Sequence, residues 1–126
     1  MATLTLQSSV AYAPLHDFSV IADKIMGKRY EVTTTFIGPK RAKQLNEAYR
    51  QKDYVPNVLS FPLTENIGEI YICPQVAKKE AKNFNLTPDG YITYLFIHGL
   101  LHLKGLDHGD TMDTQEKKYL KLFQVT

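Results

Sequence analysis

The string HGLLHLKGLDH restricts this chain more than any other feature, because it places three of the four histidines, His98, His102 and His108, within eleven residues around Gly105. His98 and His102 are four apart. On a helix that spacing projects both imidazoles from one face, where they can reach one ion at about 2.0–2.1 Å. Gly105 permits the left-handed backbone that ends a helix and folds the chain back, so His108 can approach the same point from a loop. Three nitrogen ligands with no fourth protein ligand close by leave a coordination position open, which is how catalytic rather than structural zinc is held. The expected cofactor is one Zn2+ per chain, although nickel, copper and iron also accept imidazole. Asp107 reads as a weaker extra ligand, a carboxylate that orients an imidazole, or an ordinary loop acid. His16 stands apart and reads as a surface or hydrogen-bonded core residue.

With 126 residues, 44% hydrophobic and 22% charged, the chain is sized and composed for one folded domain, residues 1–126, rather than for a disordered or fibrous protein. Fifteen Lys and Arg against thirteen Asp and Glu give +2. That is too weak a balance to mark a nucleic-acid binder, so any anion recognition must be local. The single cysteine, Cys73, excludes an intramolecular disulfide, and no charged-then-apolar leader opens the sequence. A cytoplasmic, reducing location is expected. The longest apolar run, around Tyr94 to Leu101, is interrupted by His98 and falls well short of the about 20 residues that cross a bilayer.

Alternation predicts a strand at Ala2–Gln7, the β-branched run of Val32 to Thr35 and Ile37 predicts another at Glu31–Ile37, and two short apolar runs bounded by Pro56 and Pro74 predict an adjacent strand pair at Val58–Leu63 and Ile67–Cys73. Helical spacing predicts a helix from Pro14 to the stop at Gly27, with Leu15, Phe18, Ile21, Ala22 and Ile25 on its apolar face. A second helix starts at Pro39, with Ala42, Leu45 and Tyr49 inward and Lys40, Arg41, Lys43 and Arg50 among its polar residues. A Lys- and Ala-rich surface helix follows over Pro74–Asn85. Thr87-Pro88-Asp89 opens the helix that carries His98 and His102. Asp113 and Glu116 read as a capping pair for a last helix holding Tyr119, Leu120 and Phe123. The sum is an α+β fold, a small mixed four-stranded sheet packed against about five helices.

The ligand spacing also matches metzincin proteases at every histidine and at the glycine. Those enzymes need Glu directly after the first His to activate the attacking water, and here that residue is Gly99, which disfavours peptide hydrolysis. Met112, four residues past His108, is too close to be the distant methionine turn and reads as a packing residue.

The same string closely resembles the His-Gly-x-Leu-His-Leu-x-Gly-aromatic-Asp-His signature of the YbeY endoribonucleases, bacterial rRNA maturation factors. Leu45-Asn46 to Tyr49-Arg50, Asn57-Val58-Leu59-Ser60-Phe61-Pro62 and Gly68-Glu69-Ile70 agree with that family in order and spacing, so the resemblance covers about residues 30 to 120. Departures are Leu106 where an aromatic is usual, Glu69 where an Asp is usual, and Val55-Pro56 where Pro-Thr is common. The resemblance implies a single-strand-directed, metal-dependent endoribonuclease. It would act on rRNA precursors and ribosomes, with His98, His102 and His108 on zinc and the family's functionally important arginine at Arg50. Without the resemblance, Arg50 is an ordinary helix-end arginine. Lys40, Arg41 and Lys43 are solvated or line an RNA channel, and Ser60 orients a water or fills the sheet. The competing functions are a metalloprotease with its base supplied from elsewhere and a non-catalytic ribosome assembly factor.

Overall fold

The computed structural model describes residues 2–27 and 29–126. Its strands are β1 (Thr3–Ser8), β2 (Glu31–Phe36), β3 (Val58–Thr64) and β4 (Ile67–Ile72). Its helices are α1 (Phe18–Met26), α2 (Pro39–Arg50), α3 (Pro74–Glu80), α4 (Pro88–Leu103) and α5 (Asp110–Leu122). The strands form one mixed sheet in the order β1-β2-β4-β3, with β1, β2 and β4 parallel and β3 antiparallel to β4. This is the expected α+β architecture.

Side chains alternate across a strand, so register decides what each face presents. Val32 pairs with Gly68, Thr34 with Ile70 and Phe36 with Ile72, and all six point to one buried face. Residues of α1 and α4 pack there, with Phe18 stacked on Phe96 at a centroid distance of 4.1 Å. On the opposite face α2 contributes Ala42 and Leu45 to a smaller cluster with Ile37, Leu59 and Cys73.

The central member is α4. Eleven of its sixteen residues are buried, and a helix apolar almost all round belongs inside a core rather than on its surface. It begins as expected, with Thr87 Oγ1 accepting from the Gly90 N–H and Pro88 in the first turn. At Gly99 it lies so close to the sheet that a Cβ there would sit 3.1–3.2 Å from Ile70 carbons. Ser60 Oγ also donates to the Gly99 carbonyl at 2.8 Å, tying β3 to the same helical turn.

Four expectations need correction. The first helix starts at Phe18 rather than Pro14, because the Asp17 carboxylate accepts from the Ser19 and Val20 N–H groups, and Leu15 stays 85% exposed. In α2 the buried third position is Asn46, with Tyr49 exposed. The Lys-rich helix stops at Glu80 and tightens into a 3-10 turn over Ala81–Phe84, which ends at Asn85 in the left-handed region. The last helix begins at Asp110 after Gly109, so Asp113 and Glu116 lie inside it and do not cap it.

The tight seam at Gly99 generates the first prediction. Gly99→Leu should lose about 1–3 kcal/mol of stability, the usual cost of overpacking a core. Urea denaturation should show a lower midpoint at unchanged slope. An unchanged midpoint would mean that α4 can retreat from the sheet without loss.

Candidate metal centre

His98 and His102 occupy the last two turns of α4, and His108 follows the turn at Gly105. Gly105 has φ +96, and its N–H donates to the His102 carbonyl while the Leu106 N–H reaches back to Leu101. These bonds satisfy carbonyls at the helix end and redirect the chain. One ring nitrogen from each of the three histidines then lies within 4.8 Å of the others. The expected convergence is present, and the donor set fits a borderline metal such as zinc.

Two rings are fixed from behind. His98 Nδ1 donates to Glu116 Oε2, and His102 Nδ1 donates to the Leu106 carbonyl at 3.0 Å. A carboxylate and a carbonyl can only accept, so both Nδ1 atoms carry the proton and both Nε2 lone pairs turn inward. Those two Nε2 atoms stand 3.1 Å apart. Two lone pairs that close repel unless a proton or a cation lies between them, which makes the pocket cation-seeking. Burial, followed by the neighbouring His98 and His108, lowers the His102 pKa from its ordinary 6.5 and keeps that ring available as a ligand.

Glu116 is 6% exposed and also accepts from the Tyr94 hydroxyl at 3.3 Å. Burial and the Glu116 charge push the Tyr94 pKa up to about 12, so its hydroxyl remains a donor. The capping reading missed this carboxylate. Its signal was present in the pattern Met112, Glu116, Tyr119, where an acid interrupts the buried stripe of α5.

The histidines open onto a groove of about 630 Å³, whose lining includes Arg50, Ser60, Tyr54, Asn57 and Phe84. Arg50 closes α2, is exposed, and makes no ion pair among the described residues. Lys40, Arg41 and Lys43 do not line this groove, and Lys43 pairs with Asp53 at 3.4 Å. Asp107 is exposed and contributes no atom to the histidine cluster. His16 is held by Asp89 at 3.0 Å, as a satisfied histidine should be. Ser60 spends its hydroxyl on Gly99, and Met112 is buried packing.

Glu116→Ala should weaken zinc binding about 10–100-fold, the usual effect of removing a carboxylate behind a ligating imidazole. Glu116→Gln, which keeps an acceptor for His98, should lose less. Competition with a chromophoric chelator measures both, and equal affinities across all three proteins would rule out this support. A second prediction concerns acid. The depressed His102 pKa means that the unfolded chain binds more protons than the folded chain once pH falls below about 6.5, so metal-free stability must drop there. The fall in Tm from pH 7 to pH 5 should be larger in the wild type than in His102→Gln.

Set beside known proteins, the chain matches the family Endoribonuclease YbeY over residues 13–124. It is 37% identical over 116 residues to the endoribonuclease YbeY of Francisella philomiragia, covering 83% of this chain and 73% of that protein. With the endoribonuclease YbeY of Bdellovibrio bacteriovorus the identity is 36% over 99 residues, covering 77% and 63%. The chain thus spans 63% to 73% of the length of these two relatives. A Thermotoga maritima protein of known solution structure superposes with a TM-score of 0.70 at 29% identity, covering 94% of this chain and 87% of that one. By the match of its sequence over residues 13–124, the chain belongs to the YbeY endoribonuclease family.

Proposed function

We propose that the protein is a metal-dependent endoribonuclease, one catalytic domain over residues 1–126, that cuts single-stranded RNA during rRNA maturation and ribosome quality control in the cytoplasm. Its partners in this reading are rRNA precursors and the ribosome. Among the described residues no helix is long and apolar enough to cross a membrane. The observation that carries the reading is that the three converging histidines line one groove with Arg50, which has no ion-pair partner among the described residues.

His98, His102 and His108 would hold one zinc ion, which supplies Lewis-acid polarisation when bound. The protein's own residues do the rest. Glu116 and the Leu106 carbonyl hold two imidazoles in the ligand-ready tautomer. The Arg50 guanidinium offers a planar fork of donors that matches phosphate oxygens and can stabilise the charge that develops on them during displacement. Gly99 supplies no carboxylate beside His98, and a side chain there would press against Ile70, whose carbons lie 3.1–3.4 Å from the position of a Cβ. Water activation by a Glu at that position, on which peptide hydrolysis by metzincins relies, is therefore absent from this chain.

Arg50→Ala should lower single-turnover cleavage of a single-stranded RNA by about one and a half to three orders of magnitude, the equivalent of about 2–4 kcal/mol for losing one transition-state donor. Zinc content should not change, because Arg50 is no ligand. Full RNA cleavage by this variant would remove the phosphate-gripping role. Robust zinc-dependent peptide cleavage by the wild type would move the assignment to the protease class.

A further inference from the structure

One wall of the groove is a ladder of aromatic rings that climbs from the histidines toward solvent. Tyr94 leans on His98 at 6.1 Å between centroids, Tyr91 stacks on Tyr94 at 5.6 Å, and Phe84 stacks on Tyr91 at 4.8 Å and 24°. Phe84, the outer rung, is 52% exposed. The same groove is lined by Tyr54, which is 50% exposed and lies four residues beyond Arg50. Phe84 is backed by Tyr91, and the Tyr54 carbonyl accepts at 3.1 Å from Nδ2 of Asn46, a side chain with no exposed surface.

We propose that Phe84 and Tyr54 form a stacking subsite for unpaired nucleobases of the RNA strand whose phosphate Arg50 grips, an assignment that rests on the ribonuclease reading above. An aromatic face held open to solvent beside an unpaired guanidinium suits a ligand that alternates flat apolar rings with anions, and a single-stranded nucleic acid does so at every step. A ring already backed by a neighbour, as Phe84 is by Tyr91, also loses little conformational freedom on binding, so its stacking energy is retained as affinity. Bases inside a duplex have both faces covered and cannot enter, which gives the groove a physical basis for selecting single strands. An extended peptide fits less well. The edge strand β3 lines the groove but carries Pro62 and an irregular register between Pro62 and Thr64, which interrupts the row of donors that an added strand requires.

The test is single-turnover cleavage by zinc-loaded protein, at subsaturating enzyme, of oligoribonucleotides in which one base at a time is replaced by an abasic site. The wild type should lose about 5- to 150-fold at one or two positions near the cut, the range that one base stacked on an aromatic ring supplies. Phe84→Ala or Tyr54→Ala should lose a similar factor on intact RNA and nothing further at the matching abasic position. Phe84→Trp should retain the wild-type pattern. Phe84→Leu, which keeps apolar packing on Tyr91 without a π face, should melt like the wild type and cleave like Phe84→Ala. Abasic penalties identical in the wild type and both alanine variants, with RNA still cut, would overturn the subsite and leave the ribonuclease reading standing. Zinc-loaded wild type that cuts no RNA removes that reading, and the subsite with it.

Discussion

The site depends on how closely α4 approaches the sheet at Gly99. A helix seated that tightly on Ile70, buried along eleven of its sixteen residues and stitched to β3 by Ser60, has little freedom to rotate or slide. Rotation is what the two histidines could least tolerate. Their Nε2 atoms stand 3.1 Å apart because one rigid helix carries both side chains at an i, i+4 spacing. The glycine that makes the chain a poor match to a protease is thus the residue that sets the helix against the sheet. Its small size follows from packing as much as from chemistry.

A rigid helix fixes where the rings start, and the remaining freedom, rotation about the side-chain bonds, is removed from outside it. For His102 the acceptor is the Leu106 carbonyl, supplied by the same turn that brings His108 back. For His98 it is the Glu116 carboxylate, supplied by α5. Glu116 is itself buried and held by the Tyr94 hydroxyl. A buried carboxylate is expensive unless its oxygens are hydrogen-bonded, and here a Tyr and a His meet that need while being positioned by it. The three side chains form one satisfied network in which α5 supports the site without contributing a ligand.

The divide between what the sequence makes legible and what it hides follows contact distance along the chain. His98, His102, Gly105 and His108 interact within eleven residues, so helical period and glycine geometry suffice to bring them together. Thr87 and Pro88 likewise act within one turn. The strands are readable to within a residue or so at each end, because a β-branched run such as Val32 to Thr35, stopped by Gly38-Pro39, is local too. Glu116 fails this test, since its partner His98 is eighteen residues away and its sequence neighbours suggest a cap. Leu15 misleads in the opposite direction: it keeps the apolar period, but the Asp17 side chain claims the first free N–H groups and starts the helix after it. Tyr49, expected inward, gives way to Asn46, whose amide donates to the Tyr54 carbonyl, a contact that no period encodes. The position of Arg50 on the groove is a tertiary fact as well, reached from sequence only through resemblance.

Helix polarity adds a further reason for the site to lie where it does. His102 sits in the last turn of α4 and Arg50 in the last turn of α2. A helix C-terminus carries partial negative charge, which favours a cation within the final turn. A metal ion held by His102 at the end of α4 would be stabilised by that helix, as the Arg50 guanidinium is by α2. With a metal bound, the groove would gather positive charge at two fixed points while the whole chain carries only +2. Net charge alone could not reveal such a groove, because on the proposed reading its charge would come from where two helices end rather than from an excess of basic residues.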